Sequence, residues 1–287
     1  MKYLFLFLSI IISLKSYSSD DMNFILVEGG DYYVGNVFGN QDYKSHTNVK
    51  LDPFYIMKNE MTYSIYKEVY DWAMLNGYDF DDGCNGASYE DCLPSELDKG
   101  RHPVTNIEWL DVIIFSNALS EKSKLTPVYL QKGNKQKGNE VIKHKNKITE
   151  IVINPKANGY RLPTLNEWHV AARGGKPALK LGKYGYFHSG SNNAKKVAWY
   201  PDFNLNKFGT QVIAKLSPND LGLYDMSGNV SEWVYDSYDI GNVKMYYFCG
   251  GSYLSHSKTL SSCDNHSVGY ALSDVGFRLV RSHLNEN

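Results

Sequence analysis

The chain has 287 residues, with 30 Lys and Arg against 31 Asp and Glu, for a formal net charge of −1. That balance argues against a general nucleic-acid binder, which carries a basic excess or stripe. At 43% hydrophobic and 21% charged residues the chain can bury a core, and its 24 Gly, 23 Tyr and 5 Trp favour a turn-rich fold with aromatic anchors over a helical bundle.

Lys2, the apolar run Tyr3–Leu14 and the small-residue stretch Ser16–Ser19 read as a secretory signal, too short to span a membrane. The expectation is a signal peptide over 1–18, cleavage near Ser18, and a single domain over 19–287. No cysteine lies near the cut, and no later segment is apolar enough to cross a bilayer, so the mature protein is expected to be exported, periplasmic or secreted. Export changes how Cys84, Cys92, Cys249 and Cys263 are read: an even count in an oxidising compartment favours disulfides. Three pairings are open; sequence proximity favours Cys84–Cys92 and Cys249–Cys263. A metal or redox site is the competing reading, because His256 and His266 flank Cys263, but the spacing fits no standard zinc pattern.

In chain order, Phe24–Val27, a turn at Glu28–Asp31 and Tyr32–Val34 read as strand, turn, strand, followed by short strands at Val49–Leu51 and Phe54–Met57 broken at Pro53. A helix is expected from Thr62 to Asn76, with Ile65, Val69, Trp72 and Leu75 as its apolar face and Gly77 as its stop. Residues 79–101 read as a polar loop holding the first cysteine pair. The Thr105/Glu108 spacing predicts a capping box and a helix from 105 to 122, and Thr164/Glu167 predicts another, with a short helix from Pro163 to Arg173 stopped by Gly174–Gly175. Between them Lys132, Lys135, Lys137, Lys143, Lys145 and Lys147 stand nearly unopposed in sequence, which suggests a solvated hairpin or insertion. From Gly182 onward Gly, Asn, Ser and Asp punctuate short apolar pieces, and irregular structure with short strands is expected.

Three dense blocks stand out: Asn158–Trp168 running into Ala171–Gly175, Pro218–Trp233, and Gly250-Gly-Ser-Tyr253 closing with Gly276–Val280. Together with Glu60-Met-Thr62 and His102–Trp109, these resemble the formylglycine-generating enzyme, or sulfatase-modifying factor, family from about Phe24 to Arg281. The resemblance implies a loop-rich α+β domain of C-type-lectin-like fold, with small antiparallel sheets and about three helices. It also implies a calcium ion at Asp225-Met-Ser-Gly-Asn-Val-Ser-Glu232, with Asp225 and Glu232 giving side-chain oxygens and Gly228 and Val230 carbonyls. The bland alternative is a turn whose acids bond nearby N–H groups. The family's second calcium site should lie between Ser191 and Thr210, near Val197–Tyr200 and Asn204–Asn206, where the expected acid is missing.

The family's oxidase binds copper(I) through two thiolates, one two residues after Gly-Gly-Ser-Tyr and one five further on; here those positions are Ser255 and Leu260. A hydroxyl is a poor copper(I) ligand and an alkyl chain is none, so copper is not expected and the fold does not carry the activity with it. Whether the chain is an enzyme at all is left open by this reading. A structural Cys249–Cys263 disulfide is simpler than a relocated thiol pair. Arg161, Glu167, Arg173, Asn229, Trp233, Phe277 and Arg278 are expected to be structural, with Trp168 and Trp233 as core anchors. The leading expectation is a calcium-stabilised binding module for a protein, peptide or glycan, with no nucleic acid and no membrane span, and a ligand cleft near Ser252, Ser255, His256 and His266. The alternatives are a periplasmic maturation enzyme of the same superfamily, or formylglycine generation at a non-standard site.

Overall fold

The computed structural model describes residues 22–35, 46–89, 91–133, 138–148, 150–201, 208–255, 262–267 and 269–283. The expected signal peptide, Asn204–Asn206, His256 and Leu260 lie outside them. In chain order the elements are β1 (Phe24–Val27), β2 (Gly30–Gly35), β3 (His46–Leu51), β4 (Phe54–Met57), α1 (Tyr63–Leu75), β5 (Cys84–Asn85), β6 (Ala87–Ser88), β7 (Asp91–Cys92) and β8 (Val104–Thr105). There follow α2 (Trp109–Lys122), β9 (Tyr129–Gln131), β10 (Glu140–Val141), β11 (Ile151–Ile153), α3 (Leu165–Ala172), α4 (Gly175–Lys180) and α5 (Ala194–Val197). The chain closes with β12 (Ser231–Ile240), β13 (Val243–Cys249), β14 (Cys263–Ser267), β15 (Val275–Gly276) and β16 (Val280–Ser282). This is the expected loop-rich α+β architecture of small, mainly antiparallel sheets; α4 and α5, two short helices, are additions to it.

Two expected helices begin where their caps place them. Thr62 caps α1, its Oγ1 accepting from Ile65 N at 3.5 Å, and Asn76 closes it. In α3 the Thr164 hydroxyl accepts from Glu167 N at 3.2 Å while the Glu167 carboxylate accepts from Thr164 N at 2.8 Å. The face of α1 is wider than expected: Tyr63, Ile65, Tyr66, Val69 and Ala73 are buried, Trp72 is half-buried, and Leu75 is 88% exposed. At 100° per residue Leu75 lies about 155° from the centre of that buried arc.

The Thr105/Glu108 box is corrected. Val104–Thr105 instead pairs with Cys84–Asn85 as a two-residue strand, and Asn106 has a left-handed φ of 55°. The helix starts at Trp109, where the Asp111 carboxylate accepts from Glu108 N at 2.8 Å. In the lysine-rich stretch Lys135 and Lys137 lie outside the described residues, and Lys132, Lys143 and Lys145 are not unopposed. Lys132 pairs with Glu150, Lys143 with Glu121 and Lys145 with the buried Asp111, each within 2.8 Å. Two of the counter-charges, Glu121 and Asp111, come from α2 and are distant in sequence, so a local charge count could not see them; Glu150 stands just past the stretch.

The hydrophobic interior divides in two. One part packs α1 and α2 around Tyr66, Phe115 and Phe277; the other packs β1, β4 and α3 around Phe54, Ile56 and Trp168. Trp168 and Trp233 are both fully buried, as core anchors. Between the two lies the sheet β14-β13-β12-β15, whose central hairpin is longer than the short strands expected there. Ser231, Glu232, Trp233 and Val234 are all buried, and the ladder shifts register between Trp233 and Ser237, so the alternation that marks a strand in sequence is absent. This sheet carries the candidate site.

Candidate functional site

The first part of the site is the turn leading into β12. Asp225, Gly228 and Asn229 all have left-handed φ, of 57°, 78° and 61°, which curls the backbone tightly between two buried carboxylates. Gly228 has to be glycine: a Cβ there would run into the Trp199 carbonyl oxygen. The Asn229 amide holds the turn to the rest of the fold, donating to Glu60 Oε2 at 2.7 Å and accepting from Gln211 N at 2.8 Å. Val230 N donates to Glu60 Oε1 at 3.2 Å.

Three carboxylates and one guanidinium therefore share one buried region: Glu60, Asp225, Glu232 and Arg278. Arg278 belongs to Glu232. Its Nε donates to both carboxylate oxygens at 2.9 and 2.8 Å and its Nη2 to Oε1 at 2.7 Å, while Trp168 Nε1 donates to Oε2 at 2.8 Å. Arg278 also caps the carbonyls of Met57, Lys58 and Tyr224. Asp225 is different: Oδ2 accepts from Ala214 N at 2.7 Å, and Oδ1 is buried without a hydrogen-bond partner. Burial pushes the Asp225 carboxyl up to about 6, and burial together with Asp225 and Glu232 pushes Glu60 well above the usual range.

This geometry tests the expected calcium ligands one by one. Asp225 fits, because it offers an unpartnered anionic oxygen beside a backbone curled by three left-handed residues that include Gly228 and precede Val230. Glu232 does not fit as a free ligand, because Arg278 and Trp168 take up both of its oxygens. The residue that sequence reasoning missed is Glu60, whose oxygens accept from the neutral N–H groups of Asn229 and Val230; it lies in the Glu60-Met-Thr62 block and received no role there.

The second part of the site is the glycine turn after β13. Gly250 has φ of 102°, and a Cβ on it would lie 3.1 Å from the Trp168 ring. The Ser252 hydroxyl donates to Asp274 Oδ2 at 2.6 Å and accepts from Leu254 N at 3.1 Å. The Ser255 Oγ accepts from Ser252 N at 3.1 Å. Both serines, with His188, Tyr200, Gly228, Gly250 and other neighbours, line a recess of about 10 Å³, room for one water. Of the four residues expected to form a cleft, the structure brings Ser252 and Ser255 together. His266 lies on β14 with its ring 4.2 Å from that of Tyr270, outside the lining of the recess.

All four cysteines are in disulfides, Cys84–Cys92 and Cys249–Cys263, the pairings that proximity favoured. The second joins directly opposed residues of β13 and β14 and clamps both ends of the segment that follows Gly250. Among the described residues the histidine beside it is His169 from α3, whose Nε2 lies 3.6 Å from Cys263 Sγ.

Comparison with known proteins gives this arrangement its context. The family model for the sulfatase-modifying factor enzyme 1-like domain matches residues 14–283. This chain belongs to that family. It is 34% identical over 234 residues to the chaperone protein LppX of Paenibacillus barcinonensis, covering 76% of this chain and 72% of that protein. It is 30% identical over 134 residues to the bovine (Bos taurus) inactive C-alpha-formylglycine-generating enzyme 2, covering 42% and 43% of the two chains. The crystal structure of CarF superposes with a TM-score of 0.85 at 50% identity, covering 92% of this chain and 99% of that one. The sulfatase-modifying factor fold thus extends over essentially all the described residues. Among those residues no helix is long and apolar enough to cross a membrane.

Proposed function

We propose that this member of the sulfatase-modifying factor family is an exported, calcium-stabilised binding module for a protein, peptide or glycan and not a copper oxidase. The observation that carries the reading is that all four cysteines are consumed in disulfides. Copper(I) oxidase chemistry needs two free thiolates, and the positions that the family resemblance assigns to them hold Ser255 and Leu260. The hydroxyl of Ser255 is engaged with the Ser252 backbone in a recess the size of one water, too small for a reacting cysteine side chain.

Two likenesses support binding over oxidation: one relative is named a chaperone and another an inactive formylglycine-generating enzyme. They favour a protein or peptide over a glycan as the ligand. Calcium is supported by the unpartnered Asp225 oxygen; Asp225 with the carbonyls of Gly228 and Val230 would hold the ion, and Glu60 would supply the charge that Glu232 gives to Arg278. Export is supported by the two disulfides and by the signal-like segment 1–18.

The test is intact mass of the purified mature protein with and without reduction before alkylation, beside metal analysis and an oxygen-dependent assay on cysteine-containing peptides. Four alkylations only after reduction, bound calcium, no copper and no aldehyde product are expected. Alkylation of unreduced protein together with formylglycine production would overturn the reading.

A further inference from the structure

His169, Cys249 and Cys263 come from three different elements, α3, β13 and β14, and meet beside the other parts of the site: Cys249 precedes Gly250 of the serine recess and pairs with Glu232 across the β12–β13 ladder. One imidazole nitrogen and two sulfurs all lie within 4.8 Å of one another. His169 and Cys249 are buried and Cys263 is half-buried. Two sulfurs and an imidazole are the donor set of a thiophilic d10 cation. With zinc bonds of about 2.05 Å to nitrogen and 2.3 Å to sulfur, a tetrahedral angle puts the two donor atoms about 3.6 Å apart. The His169 Nε2 to Cys263 Sγ separation is already 3.6 Å. Only the two sulfurs are misplaced, bonded at about 2.0 Å where zinc thiolates stand roughly 3.8 Å apart.

We infer that the reduced Cys249–Cys263 pair and His169 form a zinc site, so that the disulfide and the metal are alternative states of one place in the fold. The supporting frame is rigid. Register pairing holds the two Cα atoms 4.1 Å apart, so separating the sulfurs takes side-chain rotation and no shift of the strands. His169 is fixed by α3, which the Thr164/Glu167 box pins at one end and Trp168, bonded to Glu232, pins along its length. The chemistry balances with a dithiol as reductant. It gives two electrons and two protons to the Cys249–Cys263 bond and closes to its own disulfide, leaving two thiols. Zinc then displaces both thiol protons, takes the lone pair of neutral His169 Nε2, and keeps its fourth position for water on the half-buried Cys263 side. The Cys84–Cys92 pair is the internal contrast, since the His169 cluster is the one such group among the described residues.

The test uses the purified full chain carrying C84A/C92A, reduced and desalted without oxygen, then titrated with zinc alone and, for spectroscopy, cobalt alone. One zinc per chain in the reduced protein, none in the oxidised protein and a thiolate-to-cobalt charge-transfer band are expected. His169→Gln and Cys263→Ser should each weaken zinc by at least about tenfold. The same loss is expected for C249A/C263A in the chain that keeps Cys84 and Cys92, which covers failure of the first background to fold. Zinc binding unchanged by His169→Gln, or a reduced chain that holds no zinc, would overturn the inference. So would reduction that abolishes the near-ultraviolet circular dichroism without recovery on adding zinc.

Discussion

Asp225 makes the calcium reading quantitative. Burial pushes its carboxyl up to about 6 in the metal-free folded chain, from 3.8 when unperturbed. A raised carboxyl means that the folded chain holds the proton more tightly than the unfolded one. Stability therefore falls as pH rises from about 4 to about 6 and is flat above, and a rise of about two units corresponds to roughly 3 kcal/mol. Calcium binds the charged form and reverses the loss, so its contribution should be full at about pH 7.5 and, with the carboxyl about nine-tenths protonated at pH 5, fall there to about half. At one hundred times its dissociation constant the ion adds about 2.7 kcal/mol. For a domain of this size that amounts to roughly 5–10 °C in Tm. The assay is thermal unfolding in chelator and in calcium at both pH values, with magnesium as control. Asp225→Asn should abolish both the calcium shift and this acid-side dependence, whatever it does to absolute stability, and Glu60→Gln should reduce both. A calcium shift equal at the two pH values, or one that survives Asp225→Asn, would refute the reasoning.

Three further outcomes are expected. Arg278→Met strands Glu232 next to two other carboxylates and frees three carbonyls, so urea unfolding should show a loss of about 3–5 kcal/mol. Arg278→Lys should rescue little of it, since one ammonium cannot reproduce the fork. Asn117 is buried in α2 and bonds Tyr129 O, Ile142 O and Tyr129 N; Asn117→Ala removes all three bonds, with Tyr129 O keeping its bond from Ile142 N, and should cost about 3 kcal/mol in the same experiment. Restoring the family's thiols by S255C/L260C should create copper(I) binding that the native chain lacks, measured against a chromophoric copper(I) chelator after mild reduction. Native protein binding copper(I) equally well would contradict the assignment of those positions.

How much of this was readable in the sequence depends on how far the interacting residues stand apart. Thr164 and Glu167 are three residues apart, and the α3 capping box follows directly from their spacing. The Cys84–Cys92 and Cys249–Cys263 pairs are separated by 8 and 14 residues, close enough for proximity to favour them. The α2 boundary was misread because two acids, Glu108 and Asp111, play the part that Thr105 and Glu108 mimic by spacing alone. The charge assignments at the site were out of reach for a stronger reason. Glu232 and Arg278 are 46 residues apart, Glu60 and Asn229 are 169 apart, and His169 and Cys263 are 94 apart. No local pattern encodes which carboxylate the guanidinium will neutralise, yet that choice decides which one is left for a cation.

The same logic explains why the family blocks were legible while their chemistry was not. The blocks are dense in Trp, Gly and Arg because the fold consumes them. Trp168 fills the core, packs against the bare Cα of Gly250 and bonds Glu232; Glu232 in turn neutralises Arg278, which closes three carbonyls of neighbouring loops. The buried polar groups satisfy one another, and removal of one leaves its direct neighbours short of a partner. A sequence can therefore keep every one of these residues to remain folded while the positions that would carry oxidase thiols change to serine and leucine. Function in this chain then has to be read from the groups that the network leaves over: the Asp225 oxygen, the Glu60 charge, and the sulfur pair facing His169.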